Sequence, residues 1–174
     1  MGILICGHNG TGKSTIGKEL AAALGYKFID NEDLYFPKSN DKYVFSDSRS
    51  KEEVIAILED MISSDNKFVF AAVKGDYGNK LIKALDSIVL IEVPKDERHR
   101  RVRERSYRKF GDRIKEGGDL FEKENRWFSI VEGRSEDYVT NWLEGVQCPI
   151  ITIDGTLPVS QNVDYLVENL KRGF

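Results

Sequence analysis

The sequence predicts an α/β protein in which a parallel β-sheet lies between layers of helices. Two observations lead to this fold class: short apolar runs alternate with segments of helical period, and a chain of 174 residues has the length of one ordinary domain. We therefore expect a single domain spanning residues 1–174. Hydrophobic residues make up 40% of the chain and charged residues 32%, a balance that excludes a disordered or fibrous protein.

Five apolar runs are predicted to form the strands of this sheet. They are ILIC at 3–6, KFID at 27–30, KFVFAAV at 67–73, SIVLIEV at 87–93 and PIITID at 149–154. About six helices connect and follow them, because apolar residues recur there at helical spacing. The predicted helices lie near 16–24, near 54–62, from 96 onward, over 120–143 as one or two helices, and near 163–170.

Charge and cysteine content narrow the functional class. The 26 basic and 29 acidic residues give a net charge of -3, so the molecule as a whole is not a general binder of polyanions. Cys6 and Cys148 each lie beside an apolar run, and we expect both to be buried thiols in a reducing compartment. Met1 leads directly into an apolar strand without the pattern of a signal peptide, so a cytoplasmic protein without membrane contact is expected.

The first predicted strand is followed by GHNGTGKST, residues 7–15, which satisfies the pattern G-x-x-x-x-G-K-[ST], known as Walker A or the P-loop. Glycines let the backbone turn so that N–H groups point at a phosphate, and the following helix adds the positive end of its dipole. Lys13 is expected to reach the outer phosphates, and the Ser14 hydroxyl to ligate Mg²⁺. The nucleotide-binding residues predicted from the motif are Gly7, His8, Asn9, Gly10, Thr11, Gly12, Lys13, Ser14 and Thr15.

With this motif in this order of elements, the chain resembles the small P-loop kinases, a group that includes adenylate, shikimate, gluconate and uridine kinases. The resemblance implies a three-layer P-loop NTPase fold, with a five-stranded parallel sheet in the order 2-3-1-4-5 and a helical lid. It also implies ATP as the phosphoryl donor and Mg²⁺ as the cofactor. The P-loop would then lie at the topological switch point of the sheet, where ligands bind in such folds.

Two carboxylates at the end of the second strand are candidates for the acceptor side. Asp33-Leu34-Tyr35 resembles the Asp-x-Tyr element of uridine kinase, and Asp30 falls on the first Asp of the Asp-x-Asp of shikimate kinase. The spacing here is Asp-x-x-Asp, which departs from the shikimate kinase pattern. The resemblance implies that Asp33 is the catalytic base and that Asp30 binds Mg²⁺ through water. The alternative is that both acids only cap a helix or form a turn.

The third predicted strand ends in AAVKGDYG, residues 71–78, where a Walker B carboxylate usually lies. Val73 and Lys74 occupy that neighbourhood, and the first acid is Asp76. We expect Lys74 and Asp76, together with Arg49, to line the acceptor pocket, with Gly75 allowing a ligand to approach the backbone. The alternative is a simple turn into the next helix.

The segment 95–115 contains ten basic and four acidic residues, a local charge of +6. A solvated helix face is one interpretation of such a run. The other is the lid of the small P-loop kinases, which begins after the fourth strand, and whose arginines close over the transferred phosphoryl group. This resemblance implies a lid over about 106–125, with Arg105 and Arg113 as catalytic residues. Gly111 would act as a hinge.

Two further nucleotide-binding segments come from the resemblance alone. GRSEDY at 133–138 resembles the Arg-x-Asp-Asp segment that follows the lid of adenylate kinase, which implies that Arg134 binds phosphate. DGTLP at 154–158 follows the last strand, where the backbone of the family holds the adenine, and this implicates Gly155 and Pro158.

The sequence is thus expected to encode a kinase that transfers the ATP γ-phosphoryl group to a hydroxyl, or as a second choice a phosphate, of a small metabolite or nucleoside. Two alternatives stay open, namely an ATP-binding switch or partner-dependent ATPase and a nucleic-acid end kinase that would use the +6 segment as a strand groove. We expect neither nucleic acid nor membrane as a partner, and a monomer or homodimer. The acceptor cannot be identified from the sequence.

Overall fold

The sheet that organises the molecule has five parallel strands. A computed structural model describes residues 1–37 and 48–172. The strands, in chain order, are β1 (Gly2–Cys6), β2 (Lys27–Asp30), β3 (Phe68–Ala71), β4 (Leu85–Glu92) and β5 (Ile150–Asp154). Their order across the sheet is β2-β3-β1-β4-β5, and every pair is parallel. The prediction of a P-loop NTPase fold with the strand order 2-3-1-4-5 is therefore confirmed.

Helices cover both faces of the sheet. The helices of the described residues are α1 (Lys13–Leu24), α2 (Asn31–Tyr35), α3 (Lys51–Ser64), α4 (Asn79–Ala84), α5 (Lys95–Phe110), α6 (Phe121–Glu132), α7 (Thr140–Leu143) and α8 (Val159–Arg172). Short 3₁₀ helices lie at Gly111–Ile114 and Glu136–Tyr138. The short helices α2 and α4 were not predicted, because one or two turns are too few for a helical period to be visible in the sequence.

Each face of the sheet carries its own hydrophobic core. Residues of β1 and β3 are buried on both faces, as expected for the central strands of a parallel sheet. Leu20 of α1 and Leu166 of α8 pack with Ile3 and Ile5 on one face. On the other face, Leu58 of α3 packs in the core that contains the alternate β1 residues Leu4 and Cys6.

Local sequence signals set the ends of the helices around the site. Gly12 precedes α1 with φ 92°, a left-handed conformation that glycine adopts without steric cost. Asp30 caps α2, because its side chain accepts a hydrogen bond from the Glu32 backbone N–H. Ser50 and Glu53 form a capping box at the start of α3, with reciprocal side-chain and backbone hydrogen bonds.

The charged pair α5 and α6 has a small core of its own. Val102 of α5 packs with Phe128 and Val131 of α6, separately from the two cores on the sheet. The lid predicted over 106–125 therefore includes the end of α5, the first 3₁₀ helix and the start of α6. Its movement stays a prediction.

The structure corrects two expectations. Cys148, which was expected to be buried, is only half-buried, just before the edge strand β5. Cys6 is fully buried as expected, and this burial raises the pKa of its thiol to about 12. The third strand ends at Ala71 rather than at Val73, because Val73 turns beside the P-loop, where its carbonyl accepts a hydrogen bond from Gly7 N–H at 3.2 Å.

Candidate active site

The P-loop connects β1, at the centre of the sheet, to α1. Gly7, Gly10 and Gly12 have φ values of 147°, 85° and 92°, conformations that favour glycine. Gly10 also has no room for a side chain, since a Cβ there would lie 2.3 Å from the Arg98 carbonyl oxygen. The backbone of the loop is therefore shaped by glycines and by the packing of α5 against it.

Lys13 folds back over this loop. Its ammonium group donates a hydrogen bond to the His8 carbonyl oxygen at 2.8 Å. Burial, together with the positive charges of Arg105 and Arg134, lowers the pKa of Lys13 to about 8, and the weaker influence of Cys6 and Asp30 opposes this shift. The arrangement brings positive charges together beside the loop, and an anion bound there would stabilise the charged form of the lysine.

The segment after α6 binds the outer residues of the P-loop. Arg134 donates a short hydrogen bond to the Asn9 side-chain carbonyl, and a ring nitrogen of His8 lies 3.1 Å from the Glu136 carbonyl oxygen. Buried Arg98, in the first turn of α5, pairs with the Glu136 carboxylate at 2.6 Å. Two segments far apart in sequence thus hold the phosphate loop from one side.

A second group of charges faces the loop from α5. The guanidinium of Arg105 lies 3.5 Å from the Glu32 carboxylate of α2, and the ammonium of Lys109 lies 3.7 Å from it. Glu32 therefore joins the predicted lid helix to the helix that carries Asp33. Half of the Arg105 side chain is exposed to solvent, so the pair with Glu32 is of the weak surface kind.

The proposed acceptor side includes three segments, namely α2, the start of α3 and the turn after β3. The Tyr77 hydroxyl donates a hydrogen bond to the Asn31 side-chain carbonyl at 2.7 Å, which holds the turn after β3 against α2. Asp76 in the same turn lies 3.1 Å from the Lys51 ammonium of α3 and 3.6 Å from that of Lys74. Lys74 and Asp76 therefore lie close together, and the expectation that they line an acceptor pocket stays a prediction.

This geometry can be compared with that of known proteins. A family model described as "AAA domain" matches residues 3–126, which include the P-loop, β1 to β4, α5 and the start of α6. The chain belongs to the AAA domain family. A relative in Bacillus subtilis, the uncharacterized protein YqaC, is 27% identical over 176 residues, covering 97% of this chain and 96% of the relative.

Solved structures support the fold of this AAA domain. A gluconokinase from Sinorhizobium meliloti is 18% identical, with a TM-score of 0.52 and coverage of 98% of this chain and 95% of the other. A shikimate kinase from Aquifex aeolicus is 16% identical, with a TM-score of 0.53 and coverage of 98% and 96%. An uncharacterized protein from Eubacterium ventriosum is 14% identical, with a TM-score of 0.51 and coverage of 99% and 98%. The fold of the AAA domain is that of the small P-loop kinases.

Three predicted positions have structural partners that bear on their roles. Arg49 donates a hydrogen bond to the Leu34 carbonyl oxygen at 2.7 Å, so it ties α2 to the start of α3. Arg113 makes two hydrogen bonds to the Asp119 carboxylate, at 2.9 and 2.6 Å, within the predicted lid. Gly75 does not open the backbone to a ligand as expected, because Trp142 fills the space beside it, 2.6 Å from where a Cβ would lie.

The loop after β5 lies against the P-loop. A Cβ on Gly155 would lie 2.8 Å from the Thr11 carbonyl oxygen, and the Gly155 carbonyl accepts a hydrogen bond from Arg101 at 3.0 Å. Pro158 is exposed just before α8, and Thr15 lines an open groove between α1 and α8. Gly155 is therefore close to the phosphate loop, and the binding of adenine by Gly155 and Pro158 stays a prediction.

The donor groups of this AAA domain fit Mg²⁺ as it occurs in nucleotide sites. Ser14 is exposed at the start of α1, and Asp30 is close enough to Lys13 to influence its pKa. In the part of the chain that the structure describes, no three His, Cys, Asp or Glu side chains form a cage for a metal. Mg²⁺ in such sites is held mainly by phosphates and water, with one or two protein oxygens, and the residues present match that need.

Sequence reasoning missed Lys51, Glu32 and Tyr138. Lys51 is an ordinary charged residue in the first turn of α3, and Glu32 lies between the candidate acids Asp30 and Asp33. Neither residue belongs to a recognisable motif. Tyr138 lies in the same GRSEDY segment as Arg134, and its ring centroid is 4.3 Å from the Lys74 ammonium and 5.3 Å from the Arg134 guanidinium. An aromatic residue within a charged segment was the available signal.

Across residues 1–37 and 48–172, the helices are too short or too polar to span a membrane.

Proposed function

We propose that this AAA domain is a cytoplasmic ATP-dependent kinase that transfers the γ-phosphoryl group to a hydroxyl group of a small metabolite or nucleoside. Transfer to a phosphate group is the second choice. The observation that carries the proposal is the convergence of positive charge on the P-loop: Lys13 lies within it, and Arg105 and Arg134 act on Lys13 from two other elements.

This convergence suits phosphoryl transfer. The transition state spreads negative charge over the oxygens of the transferred group, so the protein contributes mainly positioning and charge stabilisation. Lys13 would hold the β- and γ-phosphates, and Arg134, already fixed to Asn9, would contact the phosphates from the side. Arg105 would leave Glu32 and turn toward the γ-phosphoryl group, and Arg113 would follow from the lid when it closes. Guanidinium groups suit this role because they stay charged and bind oxygens in pairs.

The acceptor would bind between α2, the start of α3 and the turn after β3. Asp33 lies in α2, next to Glu32, and would accept the proton of the acceptor hydroxyl as a general base. Lys74 and Asp76 would contact the acceptor from the end of β3, while Arg49 would support α2. Mg²⁺, held by the Ser14 hydroxyl and through water by Asp30, would neutralise charge between the β- and γ-phosphates.

A phosphoryl-transfer screen tests the proposal. The purified protein is incubated with Mg-ATP and nucleosides, nucleotides, sugar acids and polyols, and the phosphorylated products are detected by mass spectrometry. ATP hydrolysis without any acceptor is the control. A product formed with one acceptor class, at a rate well above hydrolysis, is the expected result.

Other outcomes of the same screen point to the alternatives. Hydrolysis that no acceptor accelerates and that a partner protein stimulates would favour an ATP-binding switch or partner-dependent ATPase. Phosphorylation of oligonucleotide ends, with affinity that falls steeply as salt is raised, would favour a nucleic-acid end kinase.

A further inference from the structure

Two lysines and one carboxylate form a compact group on the acceptor side. Both Lys51 and Lys74 approach the same oxygen of Asp76, Oδ2, at 3.1 and 3.6 Å. The three side chains together carry a charge of +1 at neutral pH. Two ammonium groups have six N–H donors between them, more than one shared carboxylate oxygen can accept, so donors remain for a ligand.

Aromatic rings hold both lysines in position. The Lys74 ammonium is 4.3 Å from the centroid of the Tyr138 ring, and the Lys51 ammonium is 5.9 Å from that of Tyr77. Only 24% of the Lys74 side chain is exposed, so this cation is partly removed from water. A ring face attracts a cation without neutralising it, which keeps the ammonium ready for an anion.

The group lies between the donor site and the proposed base. Val73, immediately before Lys74, accepts the hydrogen bond from Gly7 of the P-loop at 3.2 Å. Tyr77, immediately after Asp76, is hydrogen-bonded to Asn31 of α2. The two lysines are therefore held between the phosphate loop on one side and the helix that carries Asp33 on the other.

We infer that Lys74 and Lys51 bind an anionic group of the acceptor, so that the substrate is a carboxylate- or phosphate-bearing compound rather than a neutral nucleoside or polyol. This inference rests on the proposed kinase function and narrows its acceptor class. Lys74 is the main anchor because it is less exposed and is fixed by Tyr138. Arg134 contacts the same ring, so Tyr138 joins the acceptor anchor to the phosphate-binding side.

Matched pairs of ligands test the inference by calorimetry, on the protein saturated with Mg²⁺ and a non-hydrolysable ATP analogue. The pairs are gluconate and glucitol, glycerol 3-phosphate and glycerol, and thymidine monophosphate and thymidine. We expect at least one anion to bind about tenfold or more tightly than its neutral counterpart. The pair that responds distinguishes a carboxylate from a phosphate.

Variants connect that preference to the lysines. Lys74→Met should weaken binding of the preferred anion about tenfold or more, and Lys51→Met should do the same to a smaller extent. Lys80→Met is the control, because Lys80 pairs with Glu59 at 3.8 Å on the exposed surface of α4. It should leave binding unchanged. Circular dichroism checks that each variant is folded, and if Lys74→Met is not, Lys51→Met decides.

Three outcomes would overturn the inference: neutral ligands binding as tightly as their anions, no member of the panel binding at all, or folded lysine variants binding the anion like the unchanged protein. An anion that binds through the lysines but is not phosphorylated when Mg-ATP replaces the analogue would contradict the kinase function alone. The two failures are thus distinguishable.

Discussion

The donor and acceptor sides of the cleft are constructed in different ways. The proposed donor side is one continuous loop, residues 7–15, in which three glycines give the backbone its shape, so that its N–H groups are expected to bind phosphate together with Lys13. The acceptor side is a set of side chains from α2, α3, the turn after β3 and the segment around Tyr138. The side chains of Arg134 and Tyr138 connect the two, as does the hydrogen bond from Gly7 N–H to the Val73 carbonyl oxygen.

This difference has a functional meaning. A phosphate chain is the same in every ATP molecule, so a backbone loop of fixed shape serves any kinase of this fold. The acceptor varies between enzymes, and a set of separate side chains can change one residue at a time without disturbing the loop. We therefore expect substitutions on the donor side to abolish activity, and those on the acceptor side to alter which compound is used.

The strongest test of the donor side is Lys13→Met. This change removes the cation at the centre of the loop, and we expect kcat to fall by about 10²–10³. Lys18→Met, on the exposed face of α1, is the control and should keep full activity. Since Lys13 is held charged in a site that disfavours its charge, the variant should be no less stable to heat. Turnover at the original rate would refute the P-loop assignment.

On the acceptor side, Asp33→Asn should lower kcat by about 10²–10⁴ while ATP binding changes little, because the amide cannot take up a proton.

Asp30→Asn separates the two roles of Asp30, namely capping of α2 and the proposed binding of Mg²⁺ through water. Asparagine caps helices as well as aspartate does, so α2 should stay intact while the requirement for Mg²⁺ rises. Titration of activity against Mg²⁺ measures this. Full kcat in both variants would mean that the two acids only shape the turn.

Arg105 and Arg103 give a matched pair on α5. Their side chains are 51% and 52% exposed, and they pair with Glu32 and Glu132 respectively. Arg105→Ala should lower kcat/KM at least tenfold without a matching loss of thermal stability, whereas Arg103→Ala should leave kinetics unchanged. Arg113→Ala should be milder than Arg105→Ala.

Hydrogen exchange around 110–119 checks the lid separately, and it should slow when ATP and Mg²⁺ are added. If Arg105→Ala and Arg103→Ala have equal kinetics and hydrogen exchange does not change, the basic segment is a solvated helix face rather than part of a lid.

The smallest effect is a pH dependence of nucleotide binding. The pKa of Lys13 is about 8 without ligand, and bound phosphates should raise it toward the ordinary lysine value. Binding above about pH 8 then requires uptake of a proton, so affinity should fall by up to about tenfold per pH unit. Calorimetry in buffers of different ionisation enthalpy measures the proton. Lys13→Met should bind more weakly and lose this dependence, and a pH-independent affinity for the unchanged protein would contradict the assignment.

The same difference between the donor and acceptor sides determined what could be predicted from the sequence. The P-loop was predictable because Gly7, Gly10 and Gly12 lie in one short stretch and specify its backbone shape. The alternating apolar runs predicted a parallel sheet, whereas the order of its strands came from the resemblance to the small P-loop kinases. Lys74 and Asp76 could be proposed as acceptor-binding residues because the carboxyl ends of parallel strands meet at one edge of such a sheet. The approach of Lys51 to Asp76, and of Glu32 to Arg105, depends on how α3 and α5 pack, which no local pattern encodes.

The packing of α5 against the P-loop restricts where the predicted lid can move. Its first turn is clamped, since the Arg98 carbonyl fills the place of a side chain on Gly10 and its guanidinium is buried against Glu136. Its last turns are held to Glu32 by surface ion pairs, which are worth only about 0–1 kcal/mol each. The helix is also held by its packing on α6 through Val102, and Phe110 at its last turn is buried. We therefore expect any rotation of the predicted lid to occur at Gly111, with its φ of 58°, rather than within α5. Because the first turn of α5 contacts the P-loop, a displacement of the whole helix would also displace that loop.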